Sequence, residues 1–250
     1  MSELAASGLC KRFGGVRAVN DVSFSIAAGE ILALIGPNGA GKSTCFNLIS
    51  GQLRPDAGRV RLKGRDVTGM KTSRLARLGV GRTFQITATF PSMTVRENIQ
   101  MAYSAQRGRS LNCWSRLPRL DVAEADHLLD RVKLSDESDR LAGVLSYGDL
   151  KRLELAMSLA GTPSVLLMDE PTAGMAQADR VALMDLVRTL AIERRLAVLF
   201  TEHDMDVVFR IADRIVVLNR GVCIAEGDPV SIRTNERVRE IYLGPANGAH

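Results

Sequence analysis

Residues 30–50 read EILALIGPNGAGKSTCFNLIS and decide the fold of this 250-residue chain. Residues 30–35 are a short apolar run of the kind that forms a buried strand, and residues 44–50 have a helical pattern. Between them, residues 36–43 fit the pattern G-x-x-x-x-G-K-[ST], in which backbone N–H groups and a helix N-terminus surround phosphate groups. The stretch therefore predicts a strand, a phosphate-binding loop (the P-loop) and a helix.

This P-loop supplies the first candidate ligands. We expect the phosphates of a nucleotide to lie against Gly36, Pro37, Asn38, Gly39, Ala40, Gly41, Lys42, Ser43 and Thr44. Lys42 can reach the β- and γ-phosphates, and the Ser43 hydroxyl can ligate Mg²⁺. The alternative is a glycine-rich turn with an incidental lysine, but the strand before the loop and the helix after it favour a phosphate site.

A pair of carboxylates comes much later in the chain. Residues 165–168 are apolar and lead into Asp169, so a buried strand can hold this carboxylate at the C-terminal edge of a parallel sheet, beside the P-loop. Asp169 is the candidate second Mg²⁺ ligand. Glu170 follows directly and could orient and deprotonate an attacking water. Taken by itself, this element could also be a strand followed by an acidic turn.

The order of predicted elements indicates an α/β fold with one insertion. Strand-like runs recur at residues 18–27, 58–62, 164–168 and 196–201. They alternate with helical patterns, as in a parallel sheet, and residues 214–218 and 222–226 predict a hairpin. We expect one domain, residues 1–250, with a small antiparallel β region, an α/β core at about 1–86 and 160–244, and an inserted helical subdomain at about 87–159.

The composition is that of a globular protein, with 46% hydrophobic and 24% charged residues. The formal net charge of +5 could favour nucleotides, anionic lipid or nucleic acid, but a basic surface without a particular partner explains it equally well. The four cysteines are scattered and form no CxxC pair, which argues against a disulfide framework or a zinc site. The longest apolar runs fall far short of the roughly 20 residues that span a bilayer. We therefore expect a cytosolic chain that contacts a membrane only through a partner.

Three further segments have the order of the ABC ATPase motifs. Residues 145–149 (LSYGD) resemble the ABC signature, residues 82–85 (RTFQ) resemble the Q-loop, and residues 201–204 (TEHD) resemble the switch-histidine region. Together with the P-loop and Asp169-Glu170, they make nearly the whole chain similar to the ABC ATPases. The resemblance implies a P-loop NTPase fold of the ABC type, ATP and Mg²⁺ as ligands, and ATP hydrolysis.

The resemblance also implies roles for single residues. In this family two cassettes pack head to tail, so Ser146 and Gly148 would contact the γ-phosphate of an ATP held by the partner's P-loop. Gln85 would ligate Mg²⁺ and link it and the attacking water to the helical subdomain. His203 would hydrogen-bond the γ-phosphate and hold the water that Glu170 activates. A histidine after a strand can also be structural, and Ser146 can also be a simple helix N-cap.

Three other positions matter for the comparison with the family. Phe13 matches the aromatic residue that stacks on adenine, although a strand residue packed in a small sheet is the alternative. Asp149 stands where the signature usually has Gln. Ala176 lies where the family carries Asn-Pro or Leu-Asp, and it offers no side-chain hydrogen bond across the dimer. Our hypothesis is therefore that the two ATP sites are unequal, which equal single-turnover rates at both sites of the assembled dimer would refute.

Several segments resemble one branch of the family, the ATPases of branched-chain amino-acid importers. They are KRFGG (11–15), GRTFQ (81–85), PSMTVRENI (91–99), LSYGDLKRLELA (145–156), EPTAGM (170–175) and IYLG (241–244). Tyr147 in the signature favours this branch over the lipopolysaccharide-export ATPases, which are otherwise similar. Urea, amides and aromatic acids are alternative cargoes.

An importer of this kind implies several partners. They are a second ABC ATPase subunit in a homo- or heterodimer, two integral-membrane permease subunits and, indirectly, a periplasmic or extracellular binding protein. The chain would be peripheral, at the cytoplasmic face of the cell (inner) membrane.

Two competing functions are weaker. Nucleic-acid-associated ABC proteins usually carry two cassettes or long coiled coils, whereas this chain has one cassette and no heptad run, so no nucleic-acid partner is expected. A binding-only cassette is the other possibility, but intact Lys42, Asp169, Glu170 and His203 argue against it.

Overall fold

The computed structural model describes residues 2–83, 89–107 and 121–243. The strands, in chain order, are β1 (Ser2–Phe13), β2 (Val16–Ala27), β3 (Ile31–Ile35), β4 (Ala57–Leu62), β5 (Arg65–Asp66), β6 (Val80–Arg82), β7 (Val165–Asp169), β8 (Ala197–Thr201), β9 (Arg214–Asn219) and β10 (Val222–Gly227). The helices are α1 (Lys42–Ile49), α2 (Thr72–Arg77), α3 (Val95–Gln106), α4 (Val122–Arg131), α5 (Tyr147–Leu159), α6 (Gln177–Arg194), α7 (Met205–Ile211), α8 (Pro229–Thr234) and α9 (Glu236–Leu243).

The central element is a six-stranded sheet with the order β10-β9-β3-β8-β7-β6. All neighbouring strands in it are parallel except β10, which forms the predicted antiparallel hairpin with β9. Parallel strands end at the same edge of a sheet, so the segments after β3, β7, β8 and β9 meet there. The predicted parallel α/β sheet is confirmed.

Both faces of this sheet are covered, and β3 shows how. Its residues Ile31, Ala33 and Ile35 pack with the helices on one face, while Leu32 and Leu34 pack with α1 and the smaller sheet on the other. A strand buried on both faces needs apolar residues at every position. This is why β3 reads as the continuous apolar run ILALI.

The smaller sheet is antiparallel, with the order β2-β1-β4-β5. The sequence did not predict β1, because Ala, Ser and Gly are poor strand formers and the register of β1 shifts between Ala6 and Leu9. Alternate side chains of β1 and β4, such as Leu4, Val60 and Leu62, are buried toward the six-stranded sheet. Burial of this face attaches the small sheet to the core.

The described residues between β6 and β7 contain α3, α4, α5 and two short 3₁₀ helices, Ser135–Glu137 and Ala142–Val144. Helix α4 is amphipathic: Leu128 and Leu129 are buried, and His127 is exposed. Helix α3 begins with a capping box, in which Thr94 and Glu97 satisfy each other's backbone N–H groups.

The start of one helix differs from the sequence prediction. Helix α1 begins at Lys42 rather than residue 44, directly after Gly41 in the left-handed conformation. The elements α2, α7, α8 and β6 were not predicted, because they are too short to show a clear period. Among the described residues, no helix is long and apolar enough to cross a membrane.

Substitution of Gly58 by Ala should destabilise the fold far more than substitution of Gly64. Both glycines have positive φ, but a Cβ on Gly58 would lie 2.3 Å from the carbonyl oxygen of Gly8, whereas nothing lies within 4 Å of a Cβ on Gly64. We expect Gly64→Ala to lower the free energy of unfolding by about 1 kcal/mol, and Gly58→Ala by at least about 2 kcal/mol more. Urea unfolding measures both values, and equal losses would show that the close strand contact is wrong.

Candidate functional site

The P-loop connects β3 to α1 in a tight curve. A Cβ on Gly36 would lie 2.2 Å from the carbonyl oxygen of Leu218, so only glycine fits there. Lys42 is 6% exposed, and its Nζ donates hydrogen bonds to the carbonyl oxygens of Gly36 at 2.6 Å and Pro37 at 3.1 Å. The lysine ammonium is therefore held inside the loop by two backbone acceptors that phosphate oxygens could replace.

The charge of Lys42 is balanced by nearby carboxylates. Burial lowers the pKa of Lys42 below its usual range, and the negative charges of Glu170 and Asp169 act in the opposite direction. A phosphate beside the ammonium would add negative charge and so favour its protonated form further. The loop is thus electrostatically suited to an anion.

Asp169 ends β7 at the same edge of the sheet. The carboxylate is 9% exposed, and the Thr201 hydroxyl donates to its Oδ1 at 2.6 Å, which fixes its orientation. This carboxylate and the Ser43 hydroxyl are hard oxygen donors of the type that Mg²⁺ prefers. Within the described ranges, no group of three or more His, Cys, Asp or Glu residues could hold a metal by itself. A cation here would complete its shell with phosphate and water oxygens, as Mg²⁺ commonly does.

Glu170 and His203 contact each other at this edge. The Nε2 of His203 lies 2.9 Å from Oε1 of Glu170. The backbone N–H of Glu170, whose φ is +49°, donates to both the hydroxyl and the carbonyl oxygen of Thr201. The structure thus brings together the predicted base and the predicted switch histidine, which are 33 residues apart in sequence.

Glu202 is a residue of this site that sequence reasoning missed. Its carboxylate is 5% exposed and bridges two loops: Oε1 accepts from the backbone N–H and the hydroxyl of Thr172, and Oε2 accepts from the backbone N–H of His203. It therefore ties the segment after Glu170 to His203. The available signal was an acidic residue next to the histidine at the end of a strand.

Lys42, Ser43, Glu170 and His203 line one open pocket of about 480 Å³, the P-loop pocket, whereas Asp169 and Glu202 lie outside its lining. It is lined by Val16, Arg17, Ala18, Asn38, Gly39, Ala40, Gly41, Lys42, Ser43, Thr44, Glu170, His203 and Arg220. Residues 38–44 of the predicted P-loop line this pocket, and Gly36 and Pro37 do not. The contributions of β2 and of the β9–β10 turn were not predicted, because they depend on the order of strands in space.

Phe13 lies close to this pocket without lining it. It ends β1, is 49% exposed and pairs in register with Val16, which does line the pocket. The Nζ of Lys11 lies 5.8 Å from the centroid of its ring. An exposed aromatic ring next to a nucleotide-sized pocket is available for stacking, and its predicted role with adenine remains a prediction.

The signature residues lie elsewhere on the molecule. Ser146 is the N-cap of α5: its hydroxyl accepts from the backbone N–H of Asp149 and donates to that residue's carboxylate. Neither Ser146 nor Gly148 lines the P-loop pocket. The Tyr147 hydroxyl donates to the carbonyl oxygen of Ala173 at 3.0 Å and so connects this end of α5 to the segment after Glu170.

The remaining predicted positions are Gln85 and Ala176. Gln85 lies outside the described residues. Thr83, which precedes it, donates its backbone N–H to the carbonyl oxygen of Leu167 on β7, two positions before Asp169. Ala176 is the N-cap of α6 and makes no side-chain capping bond.

Comparison with known proteins places this geometry in a family. The ABC transporter family model matches residues 19–173, and the branched-chain amino acid ATP-binding cassette transporter model matches residues 222–244. One relative is the high-affinity branched-chain amino acid transport ATP-binding protein BraF of Pseudomonas aeruginosa. It is 39% identical over 254 residues, which cover 97% of this chain and 98% of BraF.

Solved structures of ATP-binding cassettes are also similar to this chain. A nucleotide-free ATP-binding cassette from an ABC transporter is 33% identical, with a TM-score of 0.87, and the match covers 98% of this chain and 100% of that one. A dimeric post-hydrolysis cassette bound to ADP and Pi is 25% identical, with a TM-score of 0.74 and coverages of 90% and 98%. The chain therefore belongs to the ABC transporter family, as an ATP-hydrolysing transporter subunit.

Proposed function

We propose that this subunit hydrolyses ATP at the P-loop pocket to drive the import of branched-chain or related amino acids. The observation that carries the chemical part is the contact between Glu170 and His203 beside the buried Lys42. The cargo is supported by the match of residues 222–244 to the branched-chain amino acid model and by the similarity to BraF.

The pocket residues divide the reaction between them. The ATP phosphates bind the P-loop N–H groups and Lys42, while the oxygens of Ser43 and Asp169, together with Gln85, would hold Mg²⁺. When bound, that ion neutralises charge that develops on the phosphates. Glu170 accepts a proton from water as the water oxygen attacks the γ-phosphorus, and the bond to the leaving oxygen breaks to give ADP and phosphate.

His203 and Glu202 position the reacting groups and do not themselves form or break bonds in the reaction. His203 holds Glu170 through their 2.9 Å contact and presents its ring toward the γ-phosphate. Glu202 fixes the backbone of both loops. In this arrangement the base is oriented before ATP arrives, and such positioning is one of the ways in which a protein lowers the barrier to phosphoryl transfer.

The signature of a second cassette completes each site in this proposal. Ser146 and Gly148 would present the N-terminus of α5 to the γ-phosphate held by the partner, where N–H groups and the helix dipole favour an anion. Asp149 would oppose this, but its carboxylate accepts from Ser146 and pairs with Arg152 at 3.3 Å. These contacts offset part of its negative charge.

We also propose a subdomain arrangement and a set of membrane partners for this chain. Residues from about 87 to 159, which include α3 to α5, form the helical subdomain, and Gln85 connects it to the core. The chain lies at the cytoplasmic face of the membrane, bound to a second ATPase subunit and two permease subunits, and a binding protein delivers the cargo. Phe13 stacks on adenine.

Purification in gentle detergent from the native membrane tests these partners. We expect two multi-span permeases and a second ATPase to co-purify, and deletion of the gene should abolish high-affinity uptake of leucine or a related amino acid. Recovery without any membrane protein, or unchanged uptake of every branched-chain amino acid, would contradict the import proposal and leave the ATPase assignment intact.

Substitution of Glu170 by Gln should abolish turnover and preserve binding. Removal of the general base should slow ATP hydrolysis at least about 100-fold, while ATP affinity stays near that of the wild type. Steady-state phosphate release and nucleotide binding measure the two effects. Glu236→Gln, an exposed substitution at the start of α9, is the matched control. Near-normal turnover in Glu170→Gln would remove this residue as the base.

Substitution of Glu202 by Gln should lower kcat with little change in KM. An amide has only one acceptor oxygen, so either the Thr172 donors or the His203 N–H loses its partner and the loops shift. We expect kcat to fall on the order of tenfold. Glu30→Gln is the control. The Glu30 carboxylate also accepts hydrogen bonds from a backbone N–H and from an arginine side chain, but it lies outside the pocket. Equal kcat values in the two variants would show that Glu202 does not position the site.

A further inference from the structure

Two arginines in the P-loop pocket have no part in the reaction described above. Arg17 on β2 and Arg220 in the β9–β10 turn both line the pocket, and both are exposed. Among the described residues, neither side chain has a hydrogen bond or salt bridge. The pocket therefore contains two guanidinium charges that, unlike the charge of Lys42, are not balanced by a carboxylate of the described part of the chain.

The position of Arg220 is fixed by the backbone around it. The N–H of Gly221 donates to the carbonyl oxygen of Ala40 in the P-loop at 2.9 Å, and the carbonyl oxygen of Gly221 accepts from the N–H of Asn20 on β2 at 2.8 Å. The turn is thus hydrogen-bonded to both walls of the pocket. The backbone of Arg220 is therefore held beside the P-loop, within reach of the pocket for its side chain.

The backbone conformation of Arg220 is unusual for its residue type. Its φ is +48° and that of Gly221 is +81°, so both central residues of this two-residue turn are left-handed. Asn-Gly is the sequence that such turns prefer, and a long side chain at the first position is disfavoured. Strained backbone positions occur mainly at functional sites, so the conformation of Arg220 beside the pocket supports a role for its side chain there.

Sheet order determines which part of a nucleotide these arginines would meet. Across the C-terminal edge the strands run β9, β3, β8, β7, about 4.8 Å apart. Arg220 follows β9, on one side of the P-loop, whereas His203 and Glu170 follow β8 and β7 on the other. Arg17 lies next to Val16, whose strand partner is Phe13. Both arginines are thus at the end of the pocket away from the hydrolytic residues.

We propose that Arg17 and Arg220 bind the α-phosphate end of the nucleotide. The inference rests on the proposed placement of ATP, with its γ-phosphate at Glu170 and its adenine toward Phe13. Guanidinium groups suit phosphate oxygens through charge and paired N–H donors. Because ATP and ADP share this end, the arginines strengthen the binding of both nucleotides and do not alter the chemical step.

Charge removal at these positions tests the proposal. We expect Arg17→Gln and Arg220→Gln each to weaken ADP and ATP binding about two- to fivefold, the range for exposed charged contacts, and the double variant to weaken it further. At saturating ATP, kcat should stay within about twofold of the wild type, because only binding shared by ground and transition states is lost. Arg220→Lys should restore most of the affinity.

Ionic strength provides a second measurement. The affinity difference between wild type and the double variant should shrink toward about 1 M salt, where the Debye length is about 3 Å. Arg195→Gln is the matched control: Arg195 is also exposed, with a φ of +52°, but it is the C-cap of α6 and lies outside the pocket. Thermal unfolding of each variant checks that the fold is intact.

The outcomes separate this inference from the proposed function. Unchanged ADP affinity in the double variant, an equal loss in Arg195→Gln, or a fall in kcat with unchanged affinity would overturn the inference while Lys42→Ala still weakens binding. If wild type binds no nucleotide, or Lys42→Ala has no effect on binding, the placement of ATP in this pocket is wrong and both proposals fail.

Discussion

The site depends on the hydrogen-bonded register of three parallel strands. Thr201 on β8 is opposite Asp169 on β7, and it is also in register with Leu34 on β3, one residue before the strand ends. This register brings the P-loop, the two carboxylates and His203 to one edge. A slip of one residue would turn Asp169 to the other face of the sheet and bury its charge in the apolar core. The continuous apolar runs of β3, β7 and β8 thus support both stability and the position of every reacting group.

Hydrogen bonds made by Thr201 and Glu202 fix the orientation of the charged groups at this edge. Thr201 donates to Asp169 and accepts from the N–H of Glu170, while Glu202 occupies the N–H groups of Thr172 and His203. Buried polar groups are costly unless they are hydrogen-bonded, so these bonds offset the cost of placing carboxylates beside the core. Such a network is rigid, which suits a site that must orient water against a phosphate.

Much of the fold and of the site could be predicted from the sequence, because each key motif lies within a short stretch of the chain. The P-loop motif, the apolar run that ends in Asp169 and the order of the later motifs each lie within a few residues, and the structure places Lys42, Asp169, Glu170 and His203 together. Other features depend on contacts distant in sequence. The bridge by Glu202, the approach of Arg220 and the strand β1 follow from pairing between segments far apart, and no local period predicts them. Ser146 was predicted at the N-cap of α5, but its part in a second site is not visible in one chain.

The order of the central sheet also affects how copies of this chain can meet. Its outer strands are β6, only three residues long, and β10, against which α8 and α9 pack. Open strand edges attract other strands and promote aggregation, and proteins avoid this with short or covered edge strands. Strand addition is therefore disfavoured at both sides of this sheet. In the dimer proposed above, contacts between subunits would then use loops and side chains rather than pairing between the edges of this sheet, so the subunits could separate without breaking strand hydrogen bonds.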